Sequence, residues 1–372
     1  MLATIQAQAA EFKRGDPINI EGDSKLSLIH LSGPIEAGDV EKLEKAFRPN
    51  ESEIAIEFDS SGGDFQTGIA LAKFISKHNI QTLVGENHRC FSACAIAFLG
   101  GTMIGEESAL FPARSVHPTA RLGFHAPFLD VVDGQYDRDR VQRAYDRAVR
   151  TMVQTVQTAD FMHVNAADIA ALMVPQRDEL LQLDTVGLLG RYAVVPTGIE
   201  TPERITRTMA VSLCVNGWEW ADNAKFGYTE PMTDMFELAL QSMDTLDWDA
   251  AKASFRSTNP YGEDTRTTVL PIGPGGEGTY SFCVVDQIKH DYESRIECRG
   301  FIRYETVKEA IAVARDWGEV ELPCKIPEVM DPTVGYGLFS YGWALVPPET
   351  PLNDVGITLE NLAKTEKPLP AP

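Results

Sequence analysis

The sequence predicts an α/β domain followed by a smaller mixed α+β domain. Strand and helix signals alternate between residues 24 and 198, which is typical of βαβ units. A linker bounded by prolines follows at residues 196–202, and residues 199–346 then mix helical segments with β-rich stretches that glycine interrupts. With 372 residues, of which 44% are hydrophobic, the chain can bury two cores.

The first predicted elements are two strands and a helix. Polar and apolar residues alternate over 25–32, and Gly33-Pro34 ends that strand. Residues 53–58 predict a second strand, which runs into Asp-Ser-Ser-Gly-Gly-Asp at 59–64 before a helical pattern begins at Gly68. A double glycine in this position permits positive φ and brings backbone N–H groups close to a ligand. Taken alone, it also fits an ordinary tight turn.

The next segment, residues 89–101, holds Ser92 between Cys90 and Cys94 at the start of an uninterrupted run of small and apolar residues. This pattern predicts a buried helix whose first turn begins at Ser92. The first N–H groups of a helix are unpaired and its dipole there favours negative charge, which suits a nucleophile whose reaction builds an oxyanion. Taken alone, Ser92 also fits a simple helix N-cap.

A short predicted strand then ends in a histidine. Residues 120–127 read Ala-Arg-Leu-Gly-Phe-His-Ala-Pro, which places His125 at the strand's end, as either a base or a structural residue. His117 is a rival, but it precedes Pro118 and lies ahead of the strand.

Taken together, these three segments resemble the Clp-type serine peptidases of the ClpP/crotonase superfamily, in particular the periplasmic ClpP-like branch. The order of the segments is the family's, and Gly63 precedes Ser92 by the interval that the family keeps. Arg121 and Pro127 frame His125 as in the family, whereas the interval from Ser92 to His125 is longer than in the compact cytosolic proteases. The resemblance covers residues 25–198 and implies a repeated β-β-α spiral.

The resemblance assigns a role to each matching residue. It implies that Ser92 is the nucleophile, that His125 is the general base, and that the N–H groups of Gly63 and Ala93 form the oxyanion hole. The family's acidic third member matches Asp178, which would fix the imidazole tautomer.

Asp184 and Asp168 remain alternatives to Asp178, because the helical register in this region is uncertain.

The implied function is a serine peptidase that cleaves a peptide or protein substrate through an acyl-enzyme, without a cofactor or a metal. Two other functions stay open. One is a catalytically inactive ClpP-like scaffold or binding module. The other is a crotonase-type acyl-CoA enzyme, whose chemistry would not need the Ser-His pair.

One long helix is predicted near residues 136–158, with arginine and aspartate on one side and an apolar stripe on the other. In the family, the corresponding helix serves oligomer contacts, so the resemblance allows a homo-oligomer. The plain interpretation is that the stripe faces its own domain.

The six cysteines bear on the compartment. If Cys90 and Cys94 are both helical, their Cα atoms lie about 6 Å apart, within reach of a disulfide. Cys283 and Cys298 lie on two predicted strands of one hairpin, which predicts a second bridge. Cys214 and Cys324 remain for a third.

Three bridges would favour a periplasmic or secreted protein, whereas six reduced thiols would fit the cytoplasm. A metal site at His88, Cys90 and Cys94 lacks a second ligand pair.

The N-terminal residues 1–23 are expected to be a leader remnant or a flexible segment. Ala7-Gln8-Ala9 resembles a signal-peptide cleavage site, although no basic or fully apolar region precedes it. Export of this kind would argue against an ATPase partner.

The charge of −21, from 54 acidic and 33 basic residues, argues against nucleic acid or an anionic membrane as a partner. No stretch approaches the length of an apolar membrane span, so no membrane insertion is expected. Residues 347–372 are rich in proline and are predicted to be disordered.

Overall fold

The computed structural model describes residues 10–19, 25–49, 51, 53–104, 110–128, 134–176, 179–226, 233–246, 248–258, 262–289, 294–316, 320–324 and 342–371. The chain divides into two units. The first runs to Leu183 and includes Tyr192–Thr197, and the second contains Asp184–Arg191, Gly198–Glu328 and Phe339–Pro372. The expectation of a mixed α/β protein with several sheets is confirmed.

The first unit alternates short strands with helices. Its strands are β1 (Glu11–Arg14), β2 (Ile18–Asn19), β3 (Lys25–Ser32), β4 (Ile54–Asp59), β5 (Gln81–Val84), β6 (Arg89–Phe91), β7 (Thr102–Ile104), β8 (Leu110–Pro112), β9 (Arg114–Val116), β10 (Arg121–Phe124), β11 (Leu181–Gln182) and β12 (Val195–Pro196). Its helices are α1 (Asp39–Ala46), α2 (Phe65–Lys77), α3 (Ala93–Phe98), α4 (Arg138–Gln157), α5 (Ala159–Met162) and α6 (Ala166–Leu172).

Two sheets of this unit position the residues of interest. In the described residues, the larger sheet has the order β1-β3-β4-β5-β9-β12, with β2 also paired to β3. Its strands from β3 to β12 are parallel, as expected for strands that helices connect. The smaller sheet has the order β11-β10-β6, and β10 and β6 are parallel. A bridge between Ser60 and Cys90 continues β4 alongside β6.

Helix α2 packs closely against α3 because glycine replaces a side chain at the contact. A Cβ atom on Gly68 would lie 2.5 Å from the Ala93 carbonyl oxygen. At the far end of α3, a Cβ on Gly100 would overlap the Ala72 carbonyl in the same way. Every residue of α3 is buried. This close approach brings the start of α3 beside the loop that leads into α2.

The expectation of a flexible segment before residue 24 is wrong for residues 10–19. Strand β1 pairs antiparallel with β3, in register Glu11 with Ser32, and Ala10 is buried. The side chains of Glu11–Arg14 alternate between exposed and half-buried, as expected for a strand with one face towards solvent. Residues 1–9 lie outside the described residues, as do residues 20–24.

Helix α4 exposes its apolar stripe, contrary to the plain interpretation that the stripe faces its own domain. Val141 is 58% exposed and Tyr145 is 66% exposed. The buried positions are Thr151 and Thr155, and Thr151 accepts a hydrogen bond of 2.7 Å from Gln66. Small residues therefore make the contact with the body of the unit. The expectation of a homo-oligomer stays a prediction.

The second unit is a five-stranded antiparallel sheet with helices, counted over its described residues. The strands, in spatial order, are β13 (Ser254–Thr258), β14 (Asp264–Gly276), β15 (Thr279–Lys289), β16 (Ser294–Tyr304) and β17 (Leu322–Pro323). The helices are α7 (Val186–Arg191), α8 (Arg207–Phe226), α9 (Thr233–Thr245), α10 (Ala250–Ala253), α11 (Val307–Arg315) and α12 (Val355–Thr365). Helix α11 covers an apolar face that includes Phe282 and Ile302.

The proline-rich end of the chain is ordered, so the prediction of a disordered tail is wrong. A 3-10 turn at Leu352–Asp354 leads into α12, whose Val355 and Leu359 are buried at helical spacing. The Leu369 N–H then donates to the Ile205 carbonyl at 2.8 Å. The prolines stand on either side of this helix and leave its interior intact. None of the helices in the described ranges is long and apolar enough to cross a membrane.

The contact at Gly68 can be tested by Gly68→Ala. We expect a loss of about 1–3 kcal/mol in the free energy of unfolding, because the added methyl meets backbone and forces α2 and α3 apart. The matched control is Gly356→Ala in α12, where a Cβ meets nothing within 4 Å, and where alanine should be neutral or add up to about 1 kcal/mol. Chemical denaturation followed by circular dichroism measures both. Equal effects at the two positions would contradict the close packing.

Candidate active site

The candidate site lies at the carboxyl ends of β6 and β10. Phe91, the last residue of β6, is paired with Gly123, and the Ser92 N–H donates to the Gly123 carbonyl at 2.9 Å. His125 follows β10 directly. Because the two strands are adjacent and parallel, Ser92 and His125 leave the sheet at the same edge. The structure thus brings these two predicted residues to one place.

Ser92 has a backbone conformation that few residues other than glycine adopt. Its φ is 54° and its ψ is −122°, at the junction between β6 and α3. Ser92 occupies the N-cap position of α3, yet its hydroxyl makes no capping hydrogen bond. The side chain is half-buried, whereas Ala93 behind it is fully buried. The hydroxyl is therefore not used as a simple cap.

The first residue of the double glycine lies against Ser92, and the second lies against Ile35. Gly62 has a φ of 96°, and a Cβ there would lie 2.8 Å from the Ser92 Cβ and 2.6 Å from the Phe91 carbonyl oxygen. The Gly62 N–H is held by the Ser60 hydroxyl at 3.1 Å. The sequence interpretation missed the role of Gly62. Its only sequence signal is that it is the first glycine of the pair.

The predicted oxyanion donors are the N–H groups of Gly63 and Ala93. The pairing of Ile35 with the glycine loop does not use the first, and the hydrogen bonds within α3 do not use the second. Ile35 donates to the Gly62 carbonyl and accepts from the Asp64 N–H, each at 2.8 Å. Along an extended segment, alternate residues direct their N–H groups to opposite sides, so the Gly63 N–H faces away from Ile35. Ala93 is the first residue of α3, where the N–H has no acceptor within the helix.

A disulfide joins Cys90 to Cys94 and encloses Ser92 and Ala93. The two Cα atoms are 5.2 Å apart, and both cysteines are fully buried. Since both sulfurs are bonded to each other, they are unavailable as thiolate ligands for a metal with His88. The described residues contain no group of side chains that could hold a metal ion.

His125 is held by a carbonyl and by an aromatic ring. It is 9% exposed, and its Nδ1 lies 2.8 Å from the Ala126 carbonyl oxygen. Because a carbonyl only accepts, Nδ1 carries a proton, and in the neutral form of the ring the lone pair is therefore on Nε2. The Phe128 ring lies 5.4 Å from the His125 ring, centroid to centroid. Within the described part of the chain, no hydrogen bond joins Ser92 and His125.

His117 lies elsewhere. It follows β9 in the larger sheet, its N–H donates to the Val84 carbonyl, and its Nδ1 is 2.8 Å from the Thr119 hydroxyl.

The candidate acids have different surroundings. Asp178, the predicted third member, lies outside the described residues. Asp168 is buried in the first turn of α6, and its carbonyl accepts from the Tyr192 hydroxyl at 3.2 Å. Asp184 is exposed and belongs to the second unit. Among the residues that the structure describes, no hydrogen bond joins Asp168 to His125.

The predicted bridge between Cys283 and Cys298 is wrong. Cys214 of α8 pairs with Cys283, and Cys298 pairs with Cys324. The register of the hairpin places Cys283 opposite Phe301 and Cys298 opposite Val285. The two cysteines are therefore not cross-strand partners. Counted over the described residues, three disulfides use all six cysteines, which is typical of an oxidising environment.

No family model matches the chain, and no curated protein matches it in sequence. Among solved structures, a mutant of the 1510-N membrane-bound stomatin-specific protease is similar to it, with a TM-score of 0.31 and 15% identity. That similarity covers 45% of this chain and 76% of the other. A similarity of this size carries no argument about function, which rests on this chain's own residues.

The crowding at Gly62 can be tested by Gly62→Ala. A Cβ there would displace Ser92 and the Ala93 N–H, so we expect the rate of labelling by a fluorophosphonate probe to fall on the order of 10²-fold. Gly38→Ala is the matched control, because Gly38 has a nearly equal φ of 95° but nothing within 4 Å of its Cβ position. That variant should lose stability and keep its labelling rate. Equal loss of labelling in both would contradict the proposed contact.

The bridge around Ser92 can be tested by Cys90→Ala with Cys94→Ala. Closing a loop of 4 residues contributes about 2 kcal/mol by chain entropy, against about 3.5 kcal/mol for the 26-residue loop between Cys298 and Cys324. We therefore expect replacement of the first pair to cause a large loss in the rate of Ser92 labelling and only a small loss in the free energy of unfolding. Replacing the second pair should lower stability and leave labelling unchanged. Full labelling of the first double variant would contradict a role for this bridge at Ser92.

Proposed function

We propose that the first unit is a serine hydrolase of the peptidase type. Ser92 is the nucleophile, His125 is the general base, and the N–H groups of Gly63 and Ala93 stabilise the oxyanion. The observation that carries the proposal is the conformation of Ser92, which has a φ of 54°, a hydroxyl that makes no capping hydrogen bond, and a Cβ packed against Gly62. Backbone strain of this kind costs about 1–3 kcal/mol and persists where the surrounding structure holds it.

The chemistry follows from the arrangement. Nε2 of His125 accepts the proton of the Ser92 hydroxyl as the oxygen attacks a peptide carbonyl. The two N–H groups bind the oxygen that becomes negative, and they are fixed before the reaction begins. His125 then gives the proton to the leaving amine. In the second half of the reaction, His125 takes a proton from water as the water attacks the acyl carbonyl, and it returns that proton to the Ser92 oxygen as the acid product leaves.

A peptide is the substrate class that the resemblance implies, and the site's position supports it. Gly63 and Asp64 are exposed, so a peptide chain can approach the Gly63 side of the site from solvent. The three disulfides support a secreted or periplasmic location for this activity. A catalytically inactive scaffold is the outcome if no substrate or probe reacts.

The decisive test is Ser92→Ala. We expect it to abolish fluorophosphonate labelling and peptide hydrolysis, and His125→Ala should lower kcat on the order of 10⁶-fold, because the members of such a site act as a unit. Ser32→Ala, at an exposed strand end, and His117→Ala, on the other sheet, are the matched controls and should retain activity. Wild-type protein that neither labels nor hydrolyses, or Ser92→Ala with full activity, would end the proposal.

A further inference from the structure

We propose that the main-chain carbonyl of Ala126, rather than a carboxylate, orients His125, so that Ser92 and His125 work as a dyad. This inference rests on the proposed function. In a triad, the acid accepts from Nδ1–H, fixes the imidazole tautomer and stabilises the imidazolium. Here the Nδ1 position is already occupied at 2.8 Å by a neutral acceptor of the same chain.

The Ala126 carbonyl is itself held in place. The Ala126 N–H donates to the Pro175 carbonyl at 2.8 Å, which fixes one side of the residue. Pro127 follows, and a residue that precedes proline is restricted to extended conformations. The acceptor is therefore rigid at both of its flanking peptide bonds, as an orienting group must be.

Packing completes the orientation of the ring. His125 is buried, and the Phe128 ring lies at 31° to the imidazole plane. A carboxylate that approached Nδ1 would have to displace the carbonyl, because the single N–H of Nδ1 has one strong direction. The carbonyl can fix the tautomer, but it supplies no negative charge to the imidazolium.

The proposal predicts that no single aspartate is essential. The variants are Asp178→Asn, Asp168→Asn and Asp184→Asn, each compared with wild type and with Ser92→Ala in the full chain. The measurement is the rate of fluorophosphonate labelling between pH 5 and 9. We expect each Asn variant to label within about threefold of wild type with the same midpoint in its pH profile. An orienting carboxylate would cost on the order of 10⁴-fold when replaced, and its loss would lower that midpoint.

The outcomes separate this inference from the proposed function. If one Asn variant loses labelling on that scale while its circular dichroism is unchanged, that aspartate completes a triad and the dyad is overturned, although Ser92 remains the nucleophile. If wild type does not label, both fail. Because Asp168 is buried, Asp168→Glu accompanies its Asn variant, and rates are expressed per folded molecule.

Discussion

The candidate site depends on one hydrogen bond, from the Ser92 N–H to the Gly123 carbonyl. This bond follows the last residue pair of the parallel strands β6 and β10, Phe91 with Gly123. It aligns the carboxyl end of β6 with the carboxyl end of β10. Ser92 must then turn sharply for the chain to enter α3, and the positive φ is the consequence. Because β10 ends at the same level, His125 emerges beside this turn. The relative placement of the two residues is thus a property of the strand register.

Two glycines, which have no side chain, allow a loop and a helix to approach the turn at Ser92. Gly62 gives the loop at residues 59–64 room to lie on Ser92, and Gly68 lets α2 contact α3 at Ala93. A larger residue at either position would push one layer away from the next. Such contacts give little stability by themselves, since glycine buries no side chain and costs backbone entropy. They are explained by the geometry that they permit around Ser92.

Sequence reasoning located the parts of this site that local pattern determines. The segments around Gly63, Ser92 and His125 could be found because each joins a strand signal to a glycine, a small-residue run or a proline. The Ala126 carbonyl could not be found, because every residue has a carbonyl and only the fold shows what one accepts. The identity of an acidic partner also depends on tertiary structure, since Asp184 belongs to a different unit from Asp168.

The errors in the second half of the chain have physical causes of the same kind. The pairing of Cys283 depended on the register of the hairpin between β15 and β16 and on α8, a helix whose residues from Met209 to Val215 are all buried. A helix that is apolar on all sides lacks the periodic signal by which amphipathic helices are recognised. The tail was misjudged because proline content was weighed above the spacing of Val355 and Leu359, although prolines outside a helix do not prevent it.

The buried disulfide shows how a strained serine can be kept in place. The strain at Ser92, about 1–3 kcal/mol, is similar in size to the roughly 2 kcal/mol that a bridge across 4 residues contributes. Without the bridge, Ser92 could leave its strained conformation with little change in the free energy of unfolding. The Ser92 hydroxyl and the Ala93 N–H would then move together. Because both cysteines are fully buried, a reductant reaches the sulfurs only after local opening. The geometry therefore favours a permanent restraint on Ser92 over a redox switch.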